Sequence, residues 1–276
     1  MKKLHKWGLA FALTLFALGG SVTAQAATKT KAKDLPLYTT YVRTKHAMDI
    51  GAKEKTKTGY KAIHVKKNKL LRVDGIVFYG KYPNAYTKAN FTLGPIRYAR
   101  YHKIKYSNKL IRFNTTNFTY VKTLRAPIRT QLLRQGKGFV MSKTQINQPT
   151  YSSAFYITLD NYIQTYTKAR MTKINDNWLT RNVYNDFAEQ KPTDSVKITK
   201  LVKKGTSYQI DYRTPLKGFA DHKIGPHHYR LTIKQGRHQS KGYTPVDDTY
   251  DTAASWTNFK VNGRAYFVGD AEWGLN

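Results

Sequence analysis

With 276 residues and a formal net charge of +32, the chain is long enough to bury roughly one to three cores, and it is strongly basic. It contains no cysteine, so disulfide staples, thiol nucleophiles and a lipid-modified cysteine anchor are all excluded. Charge this one-sided points to polyanionic partners rather than to a particular fold.

At the N-terminus, Lys2, Lys3 and Lys6 precede an apolar run from Trp7 to Leu18 and the small-x-small pattern Ala24-Gln25-Ala26. This order predicts a secretory signal peptide over 1–26 and a mature chain starting near Ala27 with a linker over 27–36. The apolar run falls short of the about 20 residues that span a bilayer, and no later stretch is long and apolar enough to do so. The expected location is therefore extracellular, either secreted or associated with the cell wall non-covalently. The ending GDAEWGLN carries no sorting motif, so covalent wall anchoring is not expected. Export also removes intracellular nucleic acid as the natural target.

The basic charge is uneven. Residues 27–175 hold 30 Lys and Arg against 5 Asp and Glu, whereas 176–276 hold 15 against 11. No carboxylate occurs from Gly75 to Leu159, a stretch with 14 Lys and Arg. Solvated surfaces usually mix signs, and a single-sign stretch of this length repels itself. An anionic partner relieves that repulsion. Envelope polymers such as teichoic acids, anionic lipid headgroups and glycosaminoglycans all fit, and the residues do not choose among them.

Short alternating runs predict strands over Tyr60–Val65, Leu70–Tyr79, Arg97–Ile104, Phe118–Leu124, Phe139–Ser142, Phe155–Leu159 and Tyr162–Tyr166. Further strands are expected at Val196–Val202, Ser207–Arg213, His228–Lys234, Trp256–Val261 and Arg264–Val268. FYITL-DN-YIQTY and WTNFKV-NG-RAYFV read as tight hairpins, the second because Asn-Gly accepts positive φ at both central positions. Leu179, Val183 and Phe187 predict a short helix between an Asp176 or Asn177 cap and Pro192, at the charge boundary.

An internal repeat is visible between Leu37–Tyr106 and Leu110–Ile174, each half closing on a Thr-Leu pair followed by two turn residues (FTLGPIRYARY and YITLDNYIQTY). The second half, with YVKTLRAPIRT, a basic Gly-containing turn and AFYITLDNYIQTYTKA, resembles bacterial SH3-like modules. It is also similar to basic Tyr- and Thr-rich repeats of S-layer and related surface proteins of lactic acid bacteria. The resemblance implies non-covalent attachment to wall polymers by tandem modules, and it transfers no individual binding residue. The first half departs from it by lacking the Ala-Pro corner.

The expected architecture is thus all-β: SH3-like units over 37–108 and 109–175, then an antiparallel β-domain over 176–276. Candidate polyanion contacts are Arg97, Tyr98, Arg100, Tyr101, Lys103, Lys105, Arg112, Arg125 and Arg129, where rings and cations alternate. The same residues could instead pack as cation–π pairs in a barrel wall.

Catalytic signatures are missing. There is no G-x-S-x-G, S-x-x-K or H-E-x-x-H. Asp247, Asp248 and Asp251 in PVDDTYD read as a solvated turn, and Asp270 and Glu272 as the end of a hairpin. His222, His227 and His228 could converge across Gly225-Pro226 as zinc ligands, but H-x4-H-H matches no established spacing and adjacent strand histidines face opposite ways. No metal or cofactor is expected. The function expected is a non-enzymatic surface protein held electrostatically on anionic envelope polymers, its C-terminal domain serving adhesion or ligand binding. An envelope hydrolase with its site in that domain, or a cationic membrane-active antagonist, are the alternatives; oligomeric state is not encoded in any recognisable pattern.

Overall fold

Several strands bury alternate residues. In Tyr86–Thr92, for example, Thr87, Ala89 and Phe91 point inward and Tyr86, Lys88 and Asn90 lie at the surface. The computed structural model describes residues 34–81, 83–126, 128–141, 146–147, 152–178, 187–219, 221–243 and 250–275. The chain is all-β in class, with antiparallel pairing throughout.

The first module contains β1 (Tyr41–Thr44), β2 (Met48–Thr56), β3 (Gly59–Val65), β4 (Leu70–Tyr79) and β5 (Tyr86–Thr92). A helical turn α1 (Tyr98–Tyr101) follows, then β6 (Ile104–Tyr106), β7 (Ile111–Arg112) and β8 (Phe118–Tyr120). One sheet runs β7-β5-β4-β1-β8 and another β3-β2-β6. Both cover a single core that includes Val42, Ile50, Leu71, Phe91, Phe113 and Phe118. At about 25 cal/mol per Å² of apolar area, each fully buried ring or branched chain stabilises the module by about 1.5–3 kcal/mol.

The second module contains β9 (Leu132–Gln135), β10 (Val140–Met141), β11 (Ile146–Asn147), β12 (Ala154–Ile157), β13 (Tyr162–Tyr166) and α2 (Lys168–Trp178). After them come β14 (Asp194–Lys204), β15 (Ser207–Tyr212), β16 (His222–Gly225), β17 (His228–Tyr243), β18 (Tyr250–Val261) and β19 (Arg264–Leu275). The order β15-β14-β13-β12-β9-β19-β18-β17 closes on itself because β17 also pairs with β15. The result is a closed eight-stranded barrel, with β16 added along the start of β17. Every stave of the barrel contributes to one core, among them Leu133, Phe155, Ile163, Ile198, Ile210, Leu231, Phe259 and Tyr266. Side chains fill the interior, as eight strands allow. β12 is buried on both faces: Phe155 and Ile157 enter the barrel, while Ala154 and Tyr156 pack with Met171 and Ile174 of α2. This explains its unbroken apolar sequence.

Several expectations change. Arg97–Ile104 is not a strand, because α1 occupies its middle. The segment expected to open the second unit supplies β7 and β8, which pair with β5 and β1 and complete the first module. The rest of that unit does not stand apart either. Tyr162, Ile163 and Gln164 pair with Lys197, Val196 and Ser195 across the expected boundary near 176, and β9 pairs with β19. The pairings thus divide the chain at a connector between β8 and Ala126, the first residue of the barrel core. Asp34 and Leu35, expected in a linker, bridge Asn114 and enter the core respectively. The expected signal peptide, most of the expected helix after Asp176, and Asp247 and Asp248 lie outside the described residues. Phe187 begins a 3-10 turn (Phe187–Glu189), and Asn262-Gly263 forms the expected turn with φ of 46° and 82°.

Candidate functional site: a cationic groove where the modules meet

The two modules are joined by a local set of contacts around α1. Leu159 N–H donates to Pro95 O at 2.8 Å. Arg97 N–H donates to Asp160 Oδ1 at 2.9 Å, and Tyr98 N–H to Gln164 Oε1 at 2.6 Å. The Tyr101 hydroxyl donates to Glu189 Oε1 at 2.6 Å. The first backbone N–H groups of a helix have no partner within it, and here the barrel supplies acceptors for them. The Arg97 guanidinium lies 4.4 Å from the centre of the Tyr162 ring, hydrogen-bonds its hydroxyl, and approaches Asp160 Oδ2 at 3.8 Å.

Beside this junction is a groove of about 850 Å³. The first module contributes Arg43 and Lys69, the connector Arg125, and the barrel Arg129 and Lys203. No carboxylate is among the described residues that line it. Some of these cations are held in place by backbone. Arg43 donates to Asn68 O at 2.9 Å, and Arg129 to Thr158 O and Asn161 Oδ1, both at 2.6 Å. A guanidinium has five donors, so both side chains keep further N–H groups for a ligand.

Electrostatics mark the groove as strained in charge. Burial holds the Lys69 ammonium below the usual lysine range; Arg100 pushes the same way, Asp160 opposes it, and Arg43 adds to the depression. Burial likewise lowers the Arg129 pKa, partly offset by Asp160. Desolvated cations facing one another lower their mutual repulsion when an anion enters.

The structure separates the nine sequence candidates. Arg125 and Arg129 are brought to the groove. Arg97, Tyr98 and Tyr101 serve the junction, and Arg100 makes a two-pronged pair with Glu54 at 3.1 Å for each bond. Lys105 lies 4.7 Å over the Tyr60 ring and Arg112 4.0 Å over the Tyr86 ring, while Lys103 is exposed. They do not form one face. Arg43, Lys69 and Lys203 were missed, since nothing local in YVRT, KKNK or LVKK signals that these segments meet Arg129.

The histidines do not converge as ligands. His222 is exposed in β16, His227 occupies the following turn with φ 48°, and His228 Nε2 lies 3.5 Å from Asp211 Oδ2. Both Asp211 oxygens already accept from Arg230, at 2.7 and 3.0 Å. Asp270 is taken by Arg134 at 3.2 Å, within a strand that runs on to Leu275. Among the described residues no helix is long and apolar enough to cross a membrane. Comparison with protein-family models, curated proteins and solved structures returns no match to this chain.

Proposed function

We propose that the chain is an exported, non-enzymatic protein that holds anionic envelope polymers of the teichoic-acid type, with the junction groove as its principal contact. The observation that carries this reading is the groove itself: five cations from both modules and the connector, with no lining carboxylate. The acid-free stretch from 75 to 159 supports it, because it supplies Arg125 and Arg129 with no carboxylate among their near neighbours in sequence. The packed barrel interior supports it too, since it leaves the surface as the place for a ligand.

The experiment is co-sedimentation of the purified protein with cell envelopes, intact and stripped of anionic polymer, at low and high salt. Expected are binding to intact envelopes and release by salt, because exposed charges are screened within about 10 Å at 0.1 M. Equal binding to stripped envelopes would overturn the proposal. Dye release from anionic vesicles would instead favour membrane antagonism.

A further inference from the structure

The groove's cations stand on opposite sides of a joint. Arg43 is on β1 and Lys69 precedes β4, while Arg129 precedes β9 and Lys203 is near the end of β14. The β12–β13 turn, which holds Arg129, forms part of the barrel wall. Its Leu159 and Asn161 line the groove, and Asp160 between them turns to α1 of the other module. One short turn therefore touches both the groove and the contacts that fasten the modules.

Size and charge constrain the occupant. About 850 Å³ lies in the range of sites that enclose whole small molecules, far above a water's share of about 30 Å³. A lone tetrahedral oxyanion would leave most of this volume hydrated. Arg43 and Arg129 are each tied to backbone oxygens of their own module, so they do not collapse onto one small ion. Their free N–H groups suit phosphate oxygens, to which Arg binds through parallel hydrogen bonds and Lys as a point charge.

Resting on the polyanion reading above, we infer that the groove takes successive phosphate groups of one phosphodiester chain, contacting Arg43 and Lys69 on one wall and Arg129 and Lys203 on the other. The chain then acts as a strap across the joint. Ligand bound to both walls stabilises the docked arrangement of the modules, since binding to one arrangement favours it by mass action.

The test titrates the full protein with orthophosphate, tripolyphosphate and a glycerol-phosphate polymer, matched in total phosphate and ionic strength. Expected is binding that strengthens with chain length, by about tenfold for each further phosphate that the groove contacts and levelling off once the groove is filled, through effective concentration. Lys69→Gln and Arg129→Gln should each weaken polymer binding by about tenfold, the scale of one lost charge-assisted contact. Lys69→Arg and Arg129→Lys should retain most of it, and Lys57→Gln and Lys61→Gln, exposed and outside the groove, should change it less than about twofold. Melting curves of every variant separate misfolding from lost contacts. Polymer binding that persists in folded Lys69→Gln and Arg129→Gln overturns the strap while leaving the polyanion reading in place. Equal affinity per phosphate for orthophosphate and polymer does the same. No binding of any phosphate chain by the wild-type protein overturns both.

Discussion

Gly94 and Leu159 meet where the modules join: a Cβ on Gly94 would stand 2.8 Å from Leu159 Cδ1. These residues belong to the two Thr-Leu segments that look like a repeat in the sequence. In the structure they face each other, one on each module, and Pro95 and Leu159 share a backbone hydrogen bond beside them.

Gly94→Ala should therefore loosen the joint. Gly94 has φ +70°, a conformation that disfavours a side chain by about 1–2 kcal/mol, and turning the end of the half-buried Leu159 side chain aside adds about 0.5–1.5 kcal/mol. Gly263→Ala separates these terms, because Gly263 has φ +82° and nothing within 4 Å of its ideal Cβ. Thermal melts should show a larger loss for Gly94→Ala. Equal losses would mean that the approach of Leu159 contributes nothing.

Asp160→Asn should trade stability for affinity. Asp160 Oδ1 accepts from Arg97 N–H and from Thr158 Oγ1 at 2.7 Å, and its charge offsets the buried Lys69 and Arg129. Losing these charged contacts should cost about 1–3 kcal/mol. At roughly 2–4 °C per kcal/mol for a domain of this size, the melting temperature should fall by several degrees. Phosphate-polymer binding should tighten, because the groove becomes more positive. Weaker binding by a folded Asp160→Asn protein would show that Asp160 orders the groove more than it opposes anions.

Acid should remove the stability that Asp211 provides. Its hydrogen-bonded partner Arg230 holds the carboxyl below the ordinary value of 3.8; burial opposes this, and His228 acts in the same direction as Arg230. A folded-state pKa lower than the unfolded one means the contribution is complete above about pH 4 and is lost as pH falls through the folded value. Asp211→Asn should accordingly melt below wild type at pH 7, with the gap narrowing at pH 3. A gap independent of pH would contradict the pairing.

The hairpins were legible because their information is local. Asn262-Gly263 specifies a two-residue turn whatever surrounds it, and Asp160-Asn161 likewise turns β12 back onto β13, with Asn161 at φ 68°. Arg97–Ile104 misled because it alternates like a strand. Its first two N–H groups instead find acceptors in Asp160 and Gln164, a long-range reward that the alternation does not contain. Charge misplaced the boundary near 176 for a similar reason. Solvation governs the sign of surface residues, whereas barrel closure depends on β9 meeting β19, more than a hundred residues later. The candidate site was half visible: the acid-free stretch contains Arg125 and Arg129, but Arg43, Lys69 and Lys203 join them only through the docking of separate folding units.

The most direct measurement is the salt dependence of binding to a glycerol-phosphate polymer, for wild type and for Lys69→Gln/Arg129→Gln. Each neutralised phosphate contributes roughly 0.7–0.9 to the slope of log affinity against log salt concentration, by analogy with nucleic-acid polyanions. If the groove holds the chain, the double variant should lose roughly 1.5 from the slope while remaining folded. An unchanged slope, with equal affinity at every salt concentration, would contradict a polyanion seated between the two modules.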